Sequence, residues 1–535
     1  MEEKFNNLED IDLEKEAFGK NKLNKFIILI PIISIIITVI IIIISIVLIN
    51  KEDKNITKID ENKNNSKNET SIDNDKDNKT DSGDNNKTDI DPKQDNETDS
   101  DKNKEDDENK DLCVKGENDK CLTCKNTECG SCNYKYELIN GTCIPTFSIK
   151  ATYETMEENE DIDLINFTFS EYIIGMEIDE NQIEPSYNHT FNSKGIHTVY
   201  ISMNITELNS FYLMFSQIDK LTSIYFSKQI NTKNITNISG MFFNDDNLIS
   251  VDISNFNTEN LNNLDYLFFG CTSLNSIKLP KSNNPNLLTM NYMFSYCLEL
   301  KSIDLSDFNT KNVKEMTSVF DNCYNLETII FSNLKHVIKM DKMFYNCISL
   351  KTINFSKLKI QNVKSMSNIF DGCLSLISVD LSNFDSKNLE KMDGMFQGCS
   401  SLKYLNFSKF NTKNVESMSN LFNRCSSLVS IDLSSFNTKS VKDMSFMFFG
   451  CSSLVSIDLS NFITSNVKYM NNMFADCLIL IYLDISGFKR NDSSSSNYRD
   501  FFNDQIPSKG TIILSSSIYK KIEKFIPKGW NVTKV

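Results

Sequence analysis

Residues 440–462 read SVKDMSFMFFGCSSLVSIDLSNF, and near-copies of this stretch fill the second half of the chain. Each copy carries one cysteine at the same place, at Cys271, Cys297, Cys323, Cys347, Cys373, Cys399, Cys425, Cys451 and Cys477. Neighbouring cysteines are 26 residues apart, except that Cys323 and Cys347 are 24 apart. A fixed period of about 20 to 50 residues predicts a solenoid of stacked repeats.

The apolar positions before the cysteine have a helical spacing. In the quoted repeat they lie 10, 7, 4 and 3 residues before the cysteine, at Val441, Met444, Met447 and Phe448. This spacing predicts one face of a short helix. Asparagines directly precede the face, where their side-chain oxygens are expected to cap the first turn, at Asn312, Asn362, Asn388, Asn414 and Asn466.

The positions after the cysteine alternate instead. Ile457 and Leu459 alternate with Ser456, Asp458 and Ser460, which predicts a strand with these three polar residues on its outer face. Each unit is therefore predicted to contain one strand and one short helix. A phenylalanine three residues before the cysteine position marks ten such units, from Phe242 to Phe474, and predicts an α/β solenoid.

A polar column occupies the position of Asp458 in the predicted strands. Its members are Asp252, Asp304, Asp380, Asp432, Asp458 and Asp484, with Asn354 and Asn406 between them. Tyr404 and Tyr482 are aromatic exceptions near the C-terminal end of the same face. Two interpretations stay open: a solvated sheet face, or a binding surface for a ligand, with or without Ca²⁺.

The repeated cysteines have more than one interpretation. We expect buried thiols that pack as small hydrophobic residues, and we interpret the methionine column as core rather than as a metal site. Oxidation of adjacent pairs is an alternative, because neighbouring backbones would lie about 5 Å apart, although parallel Cβ vectors disfavour the bond. An active site is a third interpretation. Asp245 takes the cysteine position in the first matching unit, where the end of the stack is expected to be wet.

The repeat pattern resembles a known family of surface proteins. The consensus NTKNVxxMxxMFxxCxSLxSIDLSxF is similar to the BspA-like leucine-rich repeats of bacteria, mycoplasmas and protists, over roughly residues 230–490. The resemblance implies a leucine-rich-repeat-like solenoid on a cell surface and, for some members, adhesion to host or neighbouring-cell components. The sequence departs from the pattern at residues 278–286 (KLPKSNNPN) and in the 24-residue unit containing His336, where a bend or bulge is expected.

The N-terminal residues predict a membrane anchor. Residues 26–50 carry no charge and as a helix would span roughly 37 Å, enough for a hydrocarbon core of about 30 Å. The length and the lack of a small-residue cleavage site favour an uncleaved signal-anchor, with residues 1–25 as a short cytoplasmic tail. Glycosylation sequons follow the span closely, at Asn55, Asn64, Asn68, Asn78, Asn86 and Asn96. We therefore predict a single-pass plasma-membrane protein with residues 51–535 outside the cell.

Two low-hydrophobicity segments follow the predicted anchor. Residues 51–112 are almost entirely polar, which predicts a disordered, N-glycosylated stalk. Residues 113–145 contain six cysteines, Cys113, Cys121, Cys124, Cys129, Cys132 and Cys143. Outside the cell they are expected to form three disulfides that hold a small module together, with unspecified pairing. Zinc binding by the CxxC pairs, or redox chemistry at CGSC, are the alternatives.

Further segments flank the repeats, which are assigned to residues 211–490. Alternation within residues 146–210 predicts a small β module that caps the first repeat, or that acts as an independent binding domain. Residues 491–535 break the period, and a strand, a short amphipathic helix and Trp530 predict a C-terminal cap.

Composition narrows the possible functions. A net charge of −16 disfavours nucleic acid as a partner. His189, His197 and His336 are the only histidines and have no common spacing, which argues against most metal-hydrolase and histidine acid–base schemes. We find no nucleophile–base pair, paired-carboxylate cleft or phosphate loop, so we expect neither an enzyme nor a cofactor. The expected function is recognition of an extracellular protein or glycan, and the alternative is a structural surface-coat component.

Overall fold

The computed structural model describes residues 121–125, 128–132, 136–139, 142–145, 147–281, 284–355, 358, 360–381, 384–489, 498–503 and 505–535. They all belong to one unit, Asp106–Val535. The predicted tail 1–25, membrane span 26–50 and stalk 51–112 lie outside these residues. No helix in the described ranges has the length and apolarity needed to cross a membrane.

Two small antiparallel sheets lie within the predicted cysteine-rich module. β1 (Cys121–Lys125) pairs with β2 (Glu128–Cys132), and β3 (Tyr136–Ile139) pairs with β4 (Thr142–Pro145). In the first sheet the register places Cys121 opposite Cys132 and Cys124 opposite Cys129. The side chains of these strands lie outside the described structure, and the three disulfides stay a prediction.

A larger antiparallel sheet precedes the repeats and joins them. The part of the chain before the repeats contains β5 (Ile149–Thr155), β6 (Glu160–Asp163), β7 (Ile173–Ile178), β8 (Asn181–Ile183), β9 (Asn188–Phe191), β10 (Gly195–Met203) and a 3-10 helix at Phe167–Tyr172. β10 lies between β5 and β7, β8 forms the outer edge, and β6 pairs separately with β9. β5 also pairs antiparallel with β11 (Leu221–Phe226), the first strand of the repeat stack. Because Ile149, Ala151 and Tyr153 are fully buried, this sheet covers the first repeat with apolar surface.

One side of the solenoid is formed by short parallel strands, one for most repeats. After β11 they are β12 (Ser250–Asp252), β13 (Ser276–Lys278), β14 (Ser302–Leu305), β15 (Thr328–Phe331), β16 (Thr352–Asn354), β17 (Ser378–Asp380), β18 (Tyr404–Asn406), β19 (Ser456–Asp458) and β20 (Tyr482–Ile485). Equivalent residues of successive repeats are paired, so Val379 lies opposite both Ile353 and Leu405. The predicted strands are therefore present in all of these repeats but one, and their alternating apolar residues face the core.

The predicted helices before the cysteines are wrong. The corresponding residues form consecutive tight turns, and single parallel bridges link eleven of these segments, from Ser210 to Tyr469. In every unit the fifth residue before the cysteine position and the residue directly before it have a φ between 52° and 76°. An α-helix of L-residues does not tolerate left-handed residues at such positions. The fold is therefore a β-solenoid, and its one α-helix within the described ranges lies in the C-terminal segment.

Hydrogen bonds between repeats explain why turns replace the helix. The N–H groups of Phe446 and Phe448 donate to the carbonyls of Asn471 and Met473 in the next repeat, each at 3.0 Å. The N–H groups that alternate with them close turns within their own repeat, such as the Met447 N–H, which donates to the Met444 carbonyl at 3.4 Å. Half of the backbone donors are thus satisfied across the stack, where a helix would satisfy them locally.

The predicted asparagine caps are also replaced by contacts between repeats. The Asn414 Nδ2 donates to the backbone oxygen of Lys387 at 2.9 Å, and the other four asparagines make equivalent bonds to the preceding repeat. Threonines two residues before some of these asparagines form hydrogen bonds with the following repeat. Thr412 Oγ1 accepts the Asn437 N–H at 2.8 Å and donates to the Asn437 carbonyl at 3.0 Å. The NTKN segments are therefore connectors within the stack.

The core consists of columns of identical side chains. The phenylalanines three residues before the cysteine stack on one another at centroid separations of 5.4–5.9 Å, in the column Phe215, Phe242, Phe268, Phe294, Phe320, Phe344, Phe370, Phe396, Phe422, Phe448 and Phe474. The methionine and cysteine columns beside them are buried. Phe215 and Ile218 belong to an additional repeat that the ten-unit prediction missed, because isoleucine replaces its cysteine.

The parallel sheet is interrupted at three places. Two interruptions, between β13 and β14 and between β15 and β16, fall at the proline-containing segment and at the 24-residue unit where the sequence departs from its pattern. The third follows β18, and residues 430–432 form no strand although their sequence matches the consensus. This third interruption was not predicted.

The C-terminal segment continues the sheet and closes the stack. It contains β21 (Lys509–Leu514), helix α1 (Ser516–Ile522), a 3-10 helix at Glu523–Phe525 and β22 (Gly529–Lys534). β21 pairs in parallel with β20 and with β22, which is the outer edge. Trp530 is buried, and its Nε1 donates to the Pro507 carbonyl at 2.7 Å. The strand, helix and tryptophan thus cover the last repeat with apolar surface.

Candidate binding face

The polar column lies on the outer face of the parallel sheet. The register aligns Asn354, Asp380 and Asn406 across β16, β17 and β18, and aligns Asp458 with Asp484 across β19 and β20. All eight members of the column are exposed or half-buried. Lys278 and Ile330 occupy the same position in β13 and β15, so the column is not uniformly acidic. Its acidic part is concentrated towards the C-terminal end.

Most of these aspartates also accept a hydrogen bond from the backbone two residues further on. The Asp458 Oδ1 accepts the N–H of Ser460 at 2.8 Å, and the same bond joins Asp432 to Ser434 at 2.9 Å. Asp252, Asp304, Asp484 and Asn406 make it too. This Asx turn reverses the chain after the strand. The backbone N–H and the hydroxyl of Ser434 lower the pKa of Asp432, so its carboxylate is charged over the physiological pH range.

The predicted serine and tyrosine positions fall on the same face. Ser456 is half-buried and lies opposite Tyr482, whereas Tyr404 lies opposite Ser378. Tyr404 is more exposed than Tyr482, with 69% of its surface accessible against 38%. Ser460 serves the Asx turn through its N–H. The predicted residues therefore share one surface but form two groups, on either side of the third sheet interruption.

A groove of about 750 Å³ lies at the third interruption of the sheet, after β18. Lys403, Tyr404 and Asn406 lie along one wall and Val429 and Asp432 along the other. In the described structure no backbone hydrogen bond joins residues 404–406 to residues 430–432, so β18 presents an open strand edge to the groove. The groove therefore offers unpaired backbone groups, an aromatic ring and a carboxylate at one place on the face.

Sequence reasoning missed the apolar border of this face. Ile377, Val429 and Ile481 occupy the residue four after the cysteine and are 41%, 54% and 50% exposed. Other repeats carry Lys301, Glu327, Lys351 or Lys403 there. A comparison of that one position across the repeats could have revealed the apolar border, because apolar residues replace charged ones there only in some repeats. The face thus combines charge with accessible apolar surface.

The face does not show a built metal site. Among the described residues, no three His, Cys, Asp or Glu side chains are grouped as metal ligands. One oxygen of several column aspartates is already engaged in the Asx turn, which leaves fewer oxygens for a hard cation such as Ca²⁺. Ca²⁺ participation stays a prediction.

The nine repeat cysteines are buried, free thiols. Each Sγ donates to the backbone oxygen of a phenylalanine of the preceding repeat, at 2.9–3.2 Å. Burial raises the pKa of all nine thiols. They are core residues with a weak hydrogen bond rather than purely apolar fillers.

Asp245 differs from its expected environment. It is fully buried, because the repeat containing Phe215 and the sheet with β5 cover the position that the sequence placed at the end of the stack. Its Oδ1 accepts the Ile218 N–H at 2.7 Å, and its Oδ2 has no hydrogen-bond partner. Burial raises its pKa well above the ordinary value. The expectation of a wet position is wrong.

Other predicted sites lie outside the described residues. These are Cys113 and the glycosylation sites Asn55, Asn64, Asn68, Asn78, Asn86 and Asn96. They stay predictions.

Stacked parallel strands, inter-repeat turns and a columnar core define the class of the protein as a repeat β-solenoid. Residues 209–333, 327–404 and 401–511 match the family model described as "Mycoplasma protein of unknown function, DUF285". Since these matches span more than half of the chain, the protein belongs to this family. None of the curated proteins compared with the chain matches it.

Several solved structures are similar to the chain at low identity. A leucine-rich cell surface protein from Faecalibacterium prausnitzii A2-165 is 18% identical, with 49% of this chain and 78% of that chain covered and a TM-score of 0.27. A leucine-rich-repeat protein from Bacteroides ovatus is also 18% identical, with 59% and 88% covered and a TM-score of 0.27. The functional domain of InlJ from Listeria monocytogenes, which includes a cysteine ladder, is 11% identical, with 64% and 76% covered and a TM-score of 0.14.

Proposed function

We propose that the protein is a cell-surface recognition protein, anchored through residues 26–50, that binds an extracellular protein or glycan on the outer face of its sheet. One observation carries the proposal: Tyr404, Val429 and Asp432 surround a groove of about 750 Å³ at an open strand edge. Exposed aromatic and apolar groups beside a fixed charge are typical of binding surfaces. The resemblance to BspA-like proteins supports the same function.

The test is a ligand screen with face variants. Full-length protein in lipid nanodiscs is screened against extracellular proteins and glycans, with and without Ca²⁺. For any ligand found, Tyr404→Ala and the pair Asp432→Lys and Asp458→Lys are expected to weaken binding at least about tenfold, because they remove an exposed aromatic contact and reverse the local charge. The matched control reverses two exposed or half-exposed loop carboxylates, Glu259→Lys and Asp385→Lys, and is expected to leave binding unchanged.

A structural coat component is the second candidate. The Asx turns favour it, because they give the column aspartates a role that requires no ligand. Under this function the face variants would leave all binding in the screen unchanged. Such a result, with folded variants, contradicts recognition by this face.

A further inference from the structure

The two ends of the solenoid carry opposite charge. Residues 147–210, which contain the N-terminal sheet, hold twelve carboxylates and two lysines. Residues 505–535, which contain the C-terminal cap, hold six lysines and one glutamate. The whole chain has a net charge of −16, so the positive charge of the C-terminal end is opposite in sign to that of the chain as a whole. The stack of repeats separates the two segments, since one joins the first repeat strand and the other joins the last.

The acidic end presents its charge at a sheet edge. β8 is the outer strand, and Asp179, Glu180 and Glu184 flank it with exposed side chains. Glu157 and Glu158 are exposed in the turn between β5 and β6. An ion pair with Lys220 engages Glu160, and a 2.6 Å hydrogen bond with His197 engages Asp179, which leaves a strong surplus of negative charge at this end.

The basic end presents its charge on three elements. Lys520 lies on α1, Lys524 and Lys528 follow it, and Lys534 ends the edge strand β22. All four are exposed, and in the described part of the chain none of them forms an ion pair with a carboxylate. Lys534 Nζ instead lies 3.5 Å from the ring centroid of Tyr519. Their charges are therefore accessible to a partner.

Protection of the sheet edge does not account for this arrangement. A lysine on an edge strand discourages unwanted pairing of edges, and Lys534 fits that role. Lys520 lies on α1 and Lys524 on the 3-10 helix, where no strand edge needs protection, and Lys528 precedes β22 without belonging to it. An anionic polymer would complement the basic end and leave the acidic end without a partner. A second copy of the chain complements both.

We propose that copies of this protein associate head to tail, with the basic C-terminal cap of one copy against the acidic N-terminal sheet of the next. Such an interface joins two different surfaces, so it propagates into open chains unless a closed arrangement intervenes. Its main attraction is between exposed charges, which makes it salt-sensitive. This association is independent of any ligand on the sheet face.

The experiment measures self-association of the full-length protein by analytical ultracentrifugation, with one chain in each nanodisc so that residues 26–50 cannot mediate contact. Wild-type protein is expected to associate at low ionic strength and to lose at least about tenfold in association constant between about 0.05 M and 0.5 M salt. The cap variant combines Lys520→Glu, Lys524→Glu and Lys528→Glu. The sheet variant combines Glu157→Lys, Glu158→Lys and Glu180→Lys. Each variant alone is expected to associate at least about tenfold more weakly than the wild type.

Mixing the two variants provides the decisive measurement. The cap variant keeps the wild-type acidic sheet and the sheet variant keeps the wild-type basic cap, so one wild-type interface can form between two different variants. The mixture is therefore expected to associate more strongly than either component alone. A control with Lys311→Glu, Lys413→Glu and Lys439→Glu, exposed loop lysines on the repeats, is expected to associate as the wild type does. Circular dichroism and thermal unfolding confirm that each variant is folded.

Three results would overturn the proposal. One is wild-type protein that stays monomeric at low salt, including the case in which the basic cap binds an anionic polymer instead. Another is self-association that persists undiminished in the cap variant. The third is a mixture of folded variants that associates no more strongly than either component, which would show that the two ends do not meet. None of these results bears on ligand binding by the sheet face.

Discussion

At the residue scale, the position of a side chain in the stack decides its ionisation. Asp371 lies two residues before Cys373 and is buried on the turn side of the solenoid. Burial raises the pKa of its carboxyl group to about 7. The hydrogen bond from Gln397 Nε2 to its Oδ2 (3.0 Å) and the charge of Lys342 both lower this pKa, but burial outweighs them. Asp432, exposed on the sheet side more than two repeats further along the chain, has a lowered pKa. The same residue type therefore serves as a buried acid and as a surface charge.

The pKa of Asp371 predicts a pH-dependent stability. A carboxyl group whose pKa is higher in the folded state stabilises the fold at low pH, and this contribution is lost as pH rises from about 4 to about 7. Asp371→Asn removes the titration, so the variant is expected to gain roughly 3 kcal/mol over the wild type between pH 4 and pH 8. Thermal unfolding midpoints across this range measure the difference.

The control for this prediction is Asp307→Asn, at a carboxylate with 70% of its side chain exposed. It is expected to leave the pH dependence of unfolding unchanged. Parallel pH profiles of wild type and Asp371→Asn would contradict the raised pKa.

At the element scale, the turn segments depend on left-handed residues at fixed places. Gly372 and Gly450, each directly before a cysteine, have φ values of 76° and 69°. A Cβ at position 450 would lie 3.3 Å from the Arg424 Cγ, which is flexible. A Cβ at position 372 would overlap the Asn346 Oδ1, which belongs to the equivalent residue of the preceding repeat. The two glycines therefore have the same backbone requirement and different steric surroundings.

Alanine substitutions separate these two contributions. Gly450→Ala is expected to destabilise the protein by about 1 kcal/mol through its left-handed backbone. Gly372→Ala is expected to cost about 2–3 kcal/mol, because Asn346 must also move and lose its 2.9 Å hydrogen bond to Asn322. Urea unfolding measures both.

Gly175→Ala provides the reference for the glycine pair. Its added Cβ would make an ordinary 3.7 Å contact with Ser202 and it has no left-handed φ, so a change within about 0.5 kcal/mol is expected. Equal losses for Gly372→Ala and Gly450→Ala would contradict the steric clash with Asn346.

At the scale of the whole molecule, stability is distributed along a continuous column of contacts. Each repeat contacts its two neighbours through its phenylalanine ring, its turn hydrogen bonds and its thiol. The nine thiols therefore report on the integrity of the stack from Cys271 to Cys477. The ends are covered by sheets, which protects the first and last apolar surfaces.

Thiol labelling tests this arrangement. In the native full-length protein, the nine repeat cysteines are expected to resist alkylation, because they are buried and their pKa values are raised. After denaturation all nine are expected to react, whereas the six cysteines of residues 113–145 react only after reduction. Mass spectrometry of labelled peptides assigns each site.

Two outcomes of the labelling experiment would contradict these predictions. Repeat cysteines that require reduction before they react would show disulfides between repeats. Cysteines of residues 113–145 that react without reduction would contradict the predicted disulfide module.

The sequence by itself determined the period, the core columns, the strands of all repeats but one and the outward position of the polar column. These follow from local patterns, because alternation after the cysteine is specific to a strand and a repeated apolar position must be buried in a stack. Asp458 and Tyr404 were placed on one face by register alone. The two irregular repeats were also visible in the sequence, where a bend or bulge was expected and where the structure interrupts the sheet.

The tertiary structure decided the rest, for a physical reason common to all the differences. Apolar spacings of three and four residues suit a helix as well as tight turns with a left-handed residue at every fourth position, and hydrogen bonds to the next repeat favour the turns. Asn414 has a backbone partner in the preceding repeat, Asp245 is covered by a sheet from an earlier segment, and the groove beside Tyr404 exists because two strands do not pair. Each of these outcomes depends on residues about one repeat or more away, and local sequence patterns do not contain such partners.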